Sequence, residues 1–134
     1  MTPDPSPPSG MRELLLSPLG HTWILDLDGV ILKHNGYKED GADAFLPGAQ
    51  AFLRSIPRKD MVVFLTSREE RFREETERFL RENGVRYDHI LFGAPYGERI
   101  LVNDRKPSGL PTSVCVNTQR DVWSGLSFRE DESL

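Results

Sequence analysis

Thr22-Trp23-Ile24-Leu25-Asp26-Leu27-Asp28-Gly29-Val30 is an apolar run that ends in two carboxylates one residue apart and a glycine. Side chains alternate along a strand, so Asp26 and Asp28 project to one side while Leu27 turns into the core. Gly29 then lets the backbone turn sharply. Taken alone, Asp-Gly between apolar runs also reads as a hairpin turn joining two antiparallel strands. An EF-hand is excluded, because the twelfth position counted from Asp26 is Tyr37 rather than Glu.

Further short runs rich in branched or aromatic residues follow at Met61 to Leu65, His89 to Phe92, Ile100 to Val102 and Val114 to Val116. Such runs suit buried strands of a parallel sheet. Between them, Glu69 to Asn83 carries Phe72, Thr76, Phe79, Leu80 and Asn83 at helical spacing, with Glu and Arg almost everywhere else. Ser67, three residues before Glu70, has capping-box spacing, and Gly84 marks the helix end. A second helix is expected from Pro47, with Ala49, Phe52, Leu53 and Ile56 inward, and Pro57 ends it. The order of strands and helices predicts an α/β fold: a Rossmann-like three-layer sandwich around a central, mainly parallel sheet of order 3-2-1-4-5. The gaps after Gly29 and after Gly93 are too short for a further inserted domain.

The chain has 134 residues, enough for one domain, and a formal net charge of −4. That balance argues against binding nucleic acid by bulk charge, though a local basic pocket is compatible with it. No apolar run approaches the roughly 20 residues that span a bilayer, so no membrane association is expected. The single Cys115 cannot form an intramolecular disulfide, and between valines it reads as an inert core thiol; a reducing, cytoplasmic setting is expected. Residues 1 to 11, proline-rich, are expected to be a disordered arm, residues 12 to 123 the catalytic domain, and residues 124 to 134 a polar tail that frays.

Ligands of such sheets bind beyond the carboxyl ends of the strands. Three polar clusters fall there: Asp26 and Asp28; Thr66, Ser67 and Arg68; and Asn103 with Asp104. Neighbouring carboxylates repel unless a cation sits between them, which suggests a hard divalent metal such as Mg2+. Thr66 offers a hydroxyl near amides at a helix start, which suits a phosphate oxygen.

The strand running into Asp26-Leu27-Asp28-Gly29-Val30, the strand ending in Thr66 and the strand ending in Asp104 together resemble the haloacid dehalogenase superfamily over about residues 22 to 117. The resemblance implies Asp26 as nucleophile, Asp28 as general acid and base, Thr66 as a phosphate ligand and Asp26, Asp28 and Asp104 around Mg2+. The activity implied is phosphomonoester hydrolysis through an aspartyl-phosphate. Residues 69 to 103 contain no Lys where members usually carry one, and Asn103 precedes a single Asp104. Lys106 is the first candidate for the missing cation, with Arg99 the next, and Ser67 and Arg68 are expected to contact phosphate or substrate. The stretches FLTSR and ERILVNDRKPSG resemble small proteins of capsular or surface polysaccharide synthesis, so a sugar phosphate is the expected substrate, with a homo-oligomer walling in the site. Thr66-Ser67-Arg68 also resembles the second motif of polynucleotide 3′-phosphatases, and a non-catalytic phospho-ligand module is the third reading.

Overall fold

The decisive run forms a strand, Thr22–Leu25, in a computed structural model that describes residues 12–123 and 125–134. The expected arm, residues 1 to 11, lies outside the described residues. In chain order the elements are β1 (Arg12–Leu16), β2 (Thr22–Leu25), α1 (Gly36–Glu39), α2 (Ala49–Ser55), β3 (Met61–Leu65), a 3-10 turn (Glu70–Phe72), α3 (Arg73–Glu82), β4 (His89–Leu91) and β5 (Leu126–Glu130).

Strands β2, β3 and β4 form one parallel sheet with β3 in the centre, Thr22 opposite Met61 and Val63 opposite His89. This is the 3-2-1 part of the expected order. Trp23, Leu25, Val62, Phe64 and Ile90 are buried on one face, where Phe52 of α2 and Leu80 of α3 join the same apolar cluster. On the other face Ile24, Met61 and Leu91 are exposed, so the described residues build helices against one face only and the expected third layer is not formed. In α3, Thr76 and Leu80 are buried as the helical spacing predicts. Ser67 does not cap that helix; its Oγ donates to the Pro95 carbonyl at 3.4 Å instead.

The strands expected at Ile100 to Val102 and Val114 to Val116 are absent, and with them the 4-5 end of the sheet. Ile100 and Val102 are 85% and 90% exposed. The contrast with β4, which is equally short, shows why. At β4 the Asp88 N–H donates to the Val62 carbonyl at 2.8 Å and the Thr66 N–H to the Leu91 carbonyl at 2.9 Å, so the ladder continues past both ends. A short apolar run without such flanking bonds does not hold a strand. Cys115 is correspondingly exposed rather than in a core.

The polar tail does not fray either. Within it β5 pairs in parallel with β1, Leu14 opposite Phe128, and the Phe128 ring lies 5.0 Å from Trp23 and 6.2 Å from Phe52. Leu126 and Phe128 alternate with Ser127 and Arg129, the pattern of a half-buried strand.

At the end of the sheet away from the carboxylates, the buried Asp60 gathers three donors. The His21 N–H donates to it at 3.0 Å, Trp23 Nε1 donates at 2.9 Å and His21 Nδ1 lies 3.0 Å away. Burial works against its charge, but the bonds from Trp23 and His21 outweigh burial and hold the carboxyl below its usual 3.8. A depressed carboxylate stabilises the fold above its unfolded pKa, and that contribution is lost as pH falls through the folded value, here below pH 3.8. Asp60→Asn is expected to cost about 1–3 kcal/mol in urea unfolding at pH 7, since one amide oxygen cannot serve all three donors. The gap between parent and variant should narrow below pH 3.8; a constant gap down to the acid transition would show that the charge of Asp60 carries none of it.

Candidate active site

After β2 the chain wraps around a single carbonyl. The amides of Val30, Ile31 and Leu32 all point at the Leu27 oxygen, at 3.3, 3.0 and 2.9 Å, and the Gly29 N–H donates to Leu32 at 2.7 Å. Gly29 sits at φ 81°, a left-handed conformation that favours glycine. The Asp-Gly pair therefore makes a tight turn, not a hairpin of two strands, and Leu27, Ile31 and Leu32 are all fully buried behind it. Asp26 and Asp28 are left on the rim.

Arg68, three residues past β3, is only 3% exposed. Its Nε donates to Asp28 Oδ2 at 3.0 Å and its Nη2 to Asp28 Oδ1 at 2.9 Å, a bidentate pair. Its Nη2 also donates to Asp43 Oδ1 at 2.7 Å, and its Nη1 to Asp43 Oδ2 at 3.0 Å and to Thr76 Oγ1 at 2.9 Å. All five guanidinium N–H groups are thus used. The Tyr37 ring lies 3.9 Å from the guanidinium carbon. Burial opposes the charge of Arg68, but Asp43 and Asp28 outweigh it and raise its pKa above the already high usual value. Arg68 has no donor left for a substrate, which corrects its expected role as a phosphate contact. Thr66 is likewise fully buried, and its Oγ1 accepts the Arg68 N–H at 3.0 Å. It shapes the turn that presents Arg68 rather than facing a phosphate.

Asp26 has different neighbours. Its Oδ1 accepts the Leu27 N–H at 2.9 Å, and its Oδ2 lies 3.4 Å from Arg99 Nη1. Arg99 Nη2 donates to Ser67 Oγ at 3.2 Å, so one guanidinium bridges the ends of β2 and β3. The segment carrying Arg99 is anchored beside them, with Gly93 N–H on the Arg68 carbonyl at 2.8 Å and Ala94 N–H on Thr66 at 3.0 Å. Burial pushes the Asp26 carboxyl up from its usual 3.8; Arg99 and the Leu27 amide pull it back without cancelling the rise, and Asp28 adds to it. Of the cations considered from the sequence, Arg99 is the one at the carboxylate. Lys106 stands in an exposed turn, its N–H bonded to the Leu110 carbonyl at 3.1 Å, and makes no ion pair among the described residues.

Asp104 is not brought to the pair. It is exposed, its carbonyl accepting the Thr112 hydroxyl, and no three His, Cys, Asp or Glu side chains among the described residues lie close enough to hold a metal ion. With both oxygens of Asp28 on Arg68 and Asp104 elsewhere, the donor set implied for Mg2+ does not fit this arrangement. Two clefts among the described residues, of about 380 and 180 Å³, are lined by the 3-10 turn with α3 and by a groove that includes Arg54, Arg58 and Arg86. Neither includes Asp26, Ser67 or Arg99, so the polar chemistry, not cavity volume, locates the site.

Sequence reasoning did not single out Asp43 or Asp121, and placed Thr76 only on the inward stripe of its helix. Asp43 stands between Ala42 and Ala44 in a loop, and an acid in so apolar a setting is a signal of a buried partner. Removing Arg68 leaves two facing carboxylates without their cation, so Arg68→Met is expected to cost about 3–5 kcal/mol in urea unfolding. Arg68→Lys should recover less than half of that, since an ammonium cannot supply two forks. A loss below about 1 kcal/mol for Arg68→Met would refute the clamp. Set against known proteins, the chain matches no family model, and no curated protein is significantly similar to it. A chain of the solved Pnkp1/Rnl/Hen1 complex aligns with 28% identity and a TM-score of 0.48, covering 62% of this chain and 31% of that one.

Proposed function

We propose that this chain is a phosphomonoester hydrolase in which Asp26 is the nucleophile. The observation that carries the reading is the accessible Asp26 carboxylate, held by Arg99 and placed beside Ser67 at the adjacent strand ends. An ionised carboxylate attacks phosphorus without a base, forming an aspartyl-phosphate that water then cleaves. Arg99 offsets the charge of the carboxylate and of the incoming phosphate, which would otherwise repel each other. Ser67, half-buried on the same rim, supplies its hydroxyl to a phosphate oxygen by giving up its 3.4 Å bond to the Pro95 carbonyl.

Asp28 suits the second half of the reaction better than the first. Each of its oxygens receives one bond from Arg68 and keeps a free lone pair, so it can take a proton from the attacking water. With both oxygens accepting N–H bonds, it offers the leaving group an acceptor rather than a donor. A leaving group that departs with little protonic help is favoured.

For substrate, the approach to Asp26 favours the 3′-phosphorylated end of a polynucleotide over a sugar phosphate. Residues 95 to 109, which carry Arg99, are exposed throughout and form no wall. Arg105 and Lys106 on this stretch make no ion pair among the described residues, and neighbouring phosphates of a strand would meet them. A small sugar offers nothing for those cations to hold.

Phosphate release from 3′-phosphorylated oligonucleotides, nucleotides and sugar phosphates, with Mg2+ and with chelator, tests this directly. The oligonucleotide is expected to be the best substrate, with a rate that falls as salt rises, from a monomer in solution. A dimer or tetramer that prefers a sugar phosphate would reverse the substrate choice, and phosphate binding without release from any of them would leave a phospho-ligand module. Abolition by chelator would show that turnover needs a divalent metal, which the arrangement of Asp26, Asp28 and Asp104 described above does not hold. Asp26→Asn should abolish turnover with the fold intact, and Asp28→Asn should cut it by roughly 10²–10⁴.

Arg99 gives a pH test. Asp26 must be ionised to attack, and its raised pKa places the acid limb of kcat/KM above the usual 3.8. Arg99 lowers that pKa, so Arg99→Ala should move the limb to higher pH and lower turnover at least about tenfold. An unmoved limb would detach Arg99 from the nucleophile.

A further inference from the structure

The loop from Gly29 to Gly48 has little regular structure, yet it carries both Tyr37 and Asp43, the groups that hold Arg68 on Asp28. The loop is tied within itself, with Lys33 N–H on the Ala44 carbonyl and Leu46 N–H on the Ile31 carbonyl, both at 2.9 Å, and a second set of ties comes from far away in sequence. The Asp121 N–H donates to the Gly29 carbonyl at 2.8 Å, and Asp121 Oδ1 accepts the His34 N–H at 2.6 Å. Asp121 itself adopts φ 62°, a left-handed conformation that Asp, Asn and Gly tolerate best. On either side of it the contacts are close: a Cβ at Gly29 would sit 3.2 Å from Arg120 Cγ, and one at Gly48 would sit 3.2 Å from Trp123 Cδ1. The Trp123 ring is 4.6 Å from Phe52 in α2. The turn around Asp121 therefore grips the loop at its first residue, its middle and its end.

We propose that Asp121 is a positioning residue: it fastens the 29 to 48 loop so that Tyr37 and Asp43 keep Arg68 on Asp28. Its consequence for turnover rests on the reading of Asp26 and Asp28 as the reacting pair. The chain of contacts is continuous, from Asp121 through the His34 amide to the loop, from the loop through Asp43 to Arg68, and from Arg68 to both oxygens of Asp28. Oxygen acceptance and the left-handed backbone are separable demands. Asparagine meets both, glycine meets only the second, and alanine meets neither.

The test uses the full chain and two readouts, hydrogen exchange of the Arg68 Nε–H by NMR and kcat on the best phosphomonoester. Asp121→Gly and Asp121→Ala are expected to speed Arg68 Nε–H exchange about tenfold while the β2 to β4 amides stay protected, and to lower kcat about tenfold with KM little changed. Asp121→Asn should stay near the parent in both. Should the alanine variant fail to fold, the glycine variant carries the comparison. Unchanged Arg68 exchange in Asp121→Gly overturns the proposal whether or not the protein hydrolyses phosphate, and so does an asparagine variant that behaves like glycine. If Arg68 responds as expected but the parent releases no phosphate, the positioning stands and the catalytic reading of Asp26 fails.

Discussion

The site depends on one buried cation. Arg68 spends five N–H donors on five oxygens, two of Asp28, two of Asp43 and one of Thr76, with the Tyr37 ring beside its plane. The partners come from three parts of the chain: the turn after β2, the 29 to 48 loop with α1, and α3. A guanidinium is the one side chain able to do this, because its planar fork matches two carboxylates at once. The cost of burying three charges is offset only when all of them are paired, so the arrangement is an all-or-none constraint on how loop, helix and sheet meet. Burial and pairing also remove Arg68 from any direct dealings with substrate.

How much of this was legible in the residues follows from the range of the forces involved. Strands β2, β3 and β4 and helices α2 and α3 are local, amphipathic and well punctuated by Pro47, Pro57 and Gly84, and they stand where the sequence places them. The failures are non-local. Ile100 to Val102 has the composition of a strand, but a strand needs a partner edge, and composition says nothing about whether one is within reach. Leu126 to Glu130 looked too polar to order, yet its alternation let Leu126 and Phe128 face the core once β1 offered a parallel edge. Asp26, Asp28 and Ser67 were legible because a strand end dictates where such residues point. Arg68 was legible as a strand-end residue but not as the buried partner of Asp28 and Asp43, since no spacing rule connects it to Asp43. Asp121 left no signal at all: its meaning lies in the Gly29 carbonyl and the His34 amide, more than 80 residues away along the chain.

The ends of the sheet illustrate two ways of burying a carboxylate. At Asp60 the partners are the neutral indole of Trp23, a main-chain amide and the His21 ring, and the pKa is depressed because donors outnumber what burial costs. At Asp26 a single amide and one guanidinium at 3.4 Å do not outweigh burial, and the pKa rises. The first arrangement is closed and structural. The second leaves the carboxylate short of partners, and a group left short of partners in the native state is one a ligand can complete.

That difference also separates the two acids of the candidate site. Asp26 and Asp28 are one residue apart, and without help their roles would be interchangeable. The fold breaks the symmetry by giving each its own arginine at a different depth: Asp28 gets a buried, bidentate, fully committed one, and Asp26 gets an exposed one that touches it through a single oxygen. On the proposed reading, an exposed guanidinium can move toward an incoming phosphate while Asp26 attacks. A buried one cannot, so Asp28 keeps a fixed place while it takes and gives up the proton. Two carboxylates in different environments are what a two-step displacement requires, one to be consumed and regenerated, the other to stay and handle the proton.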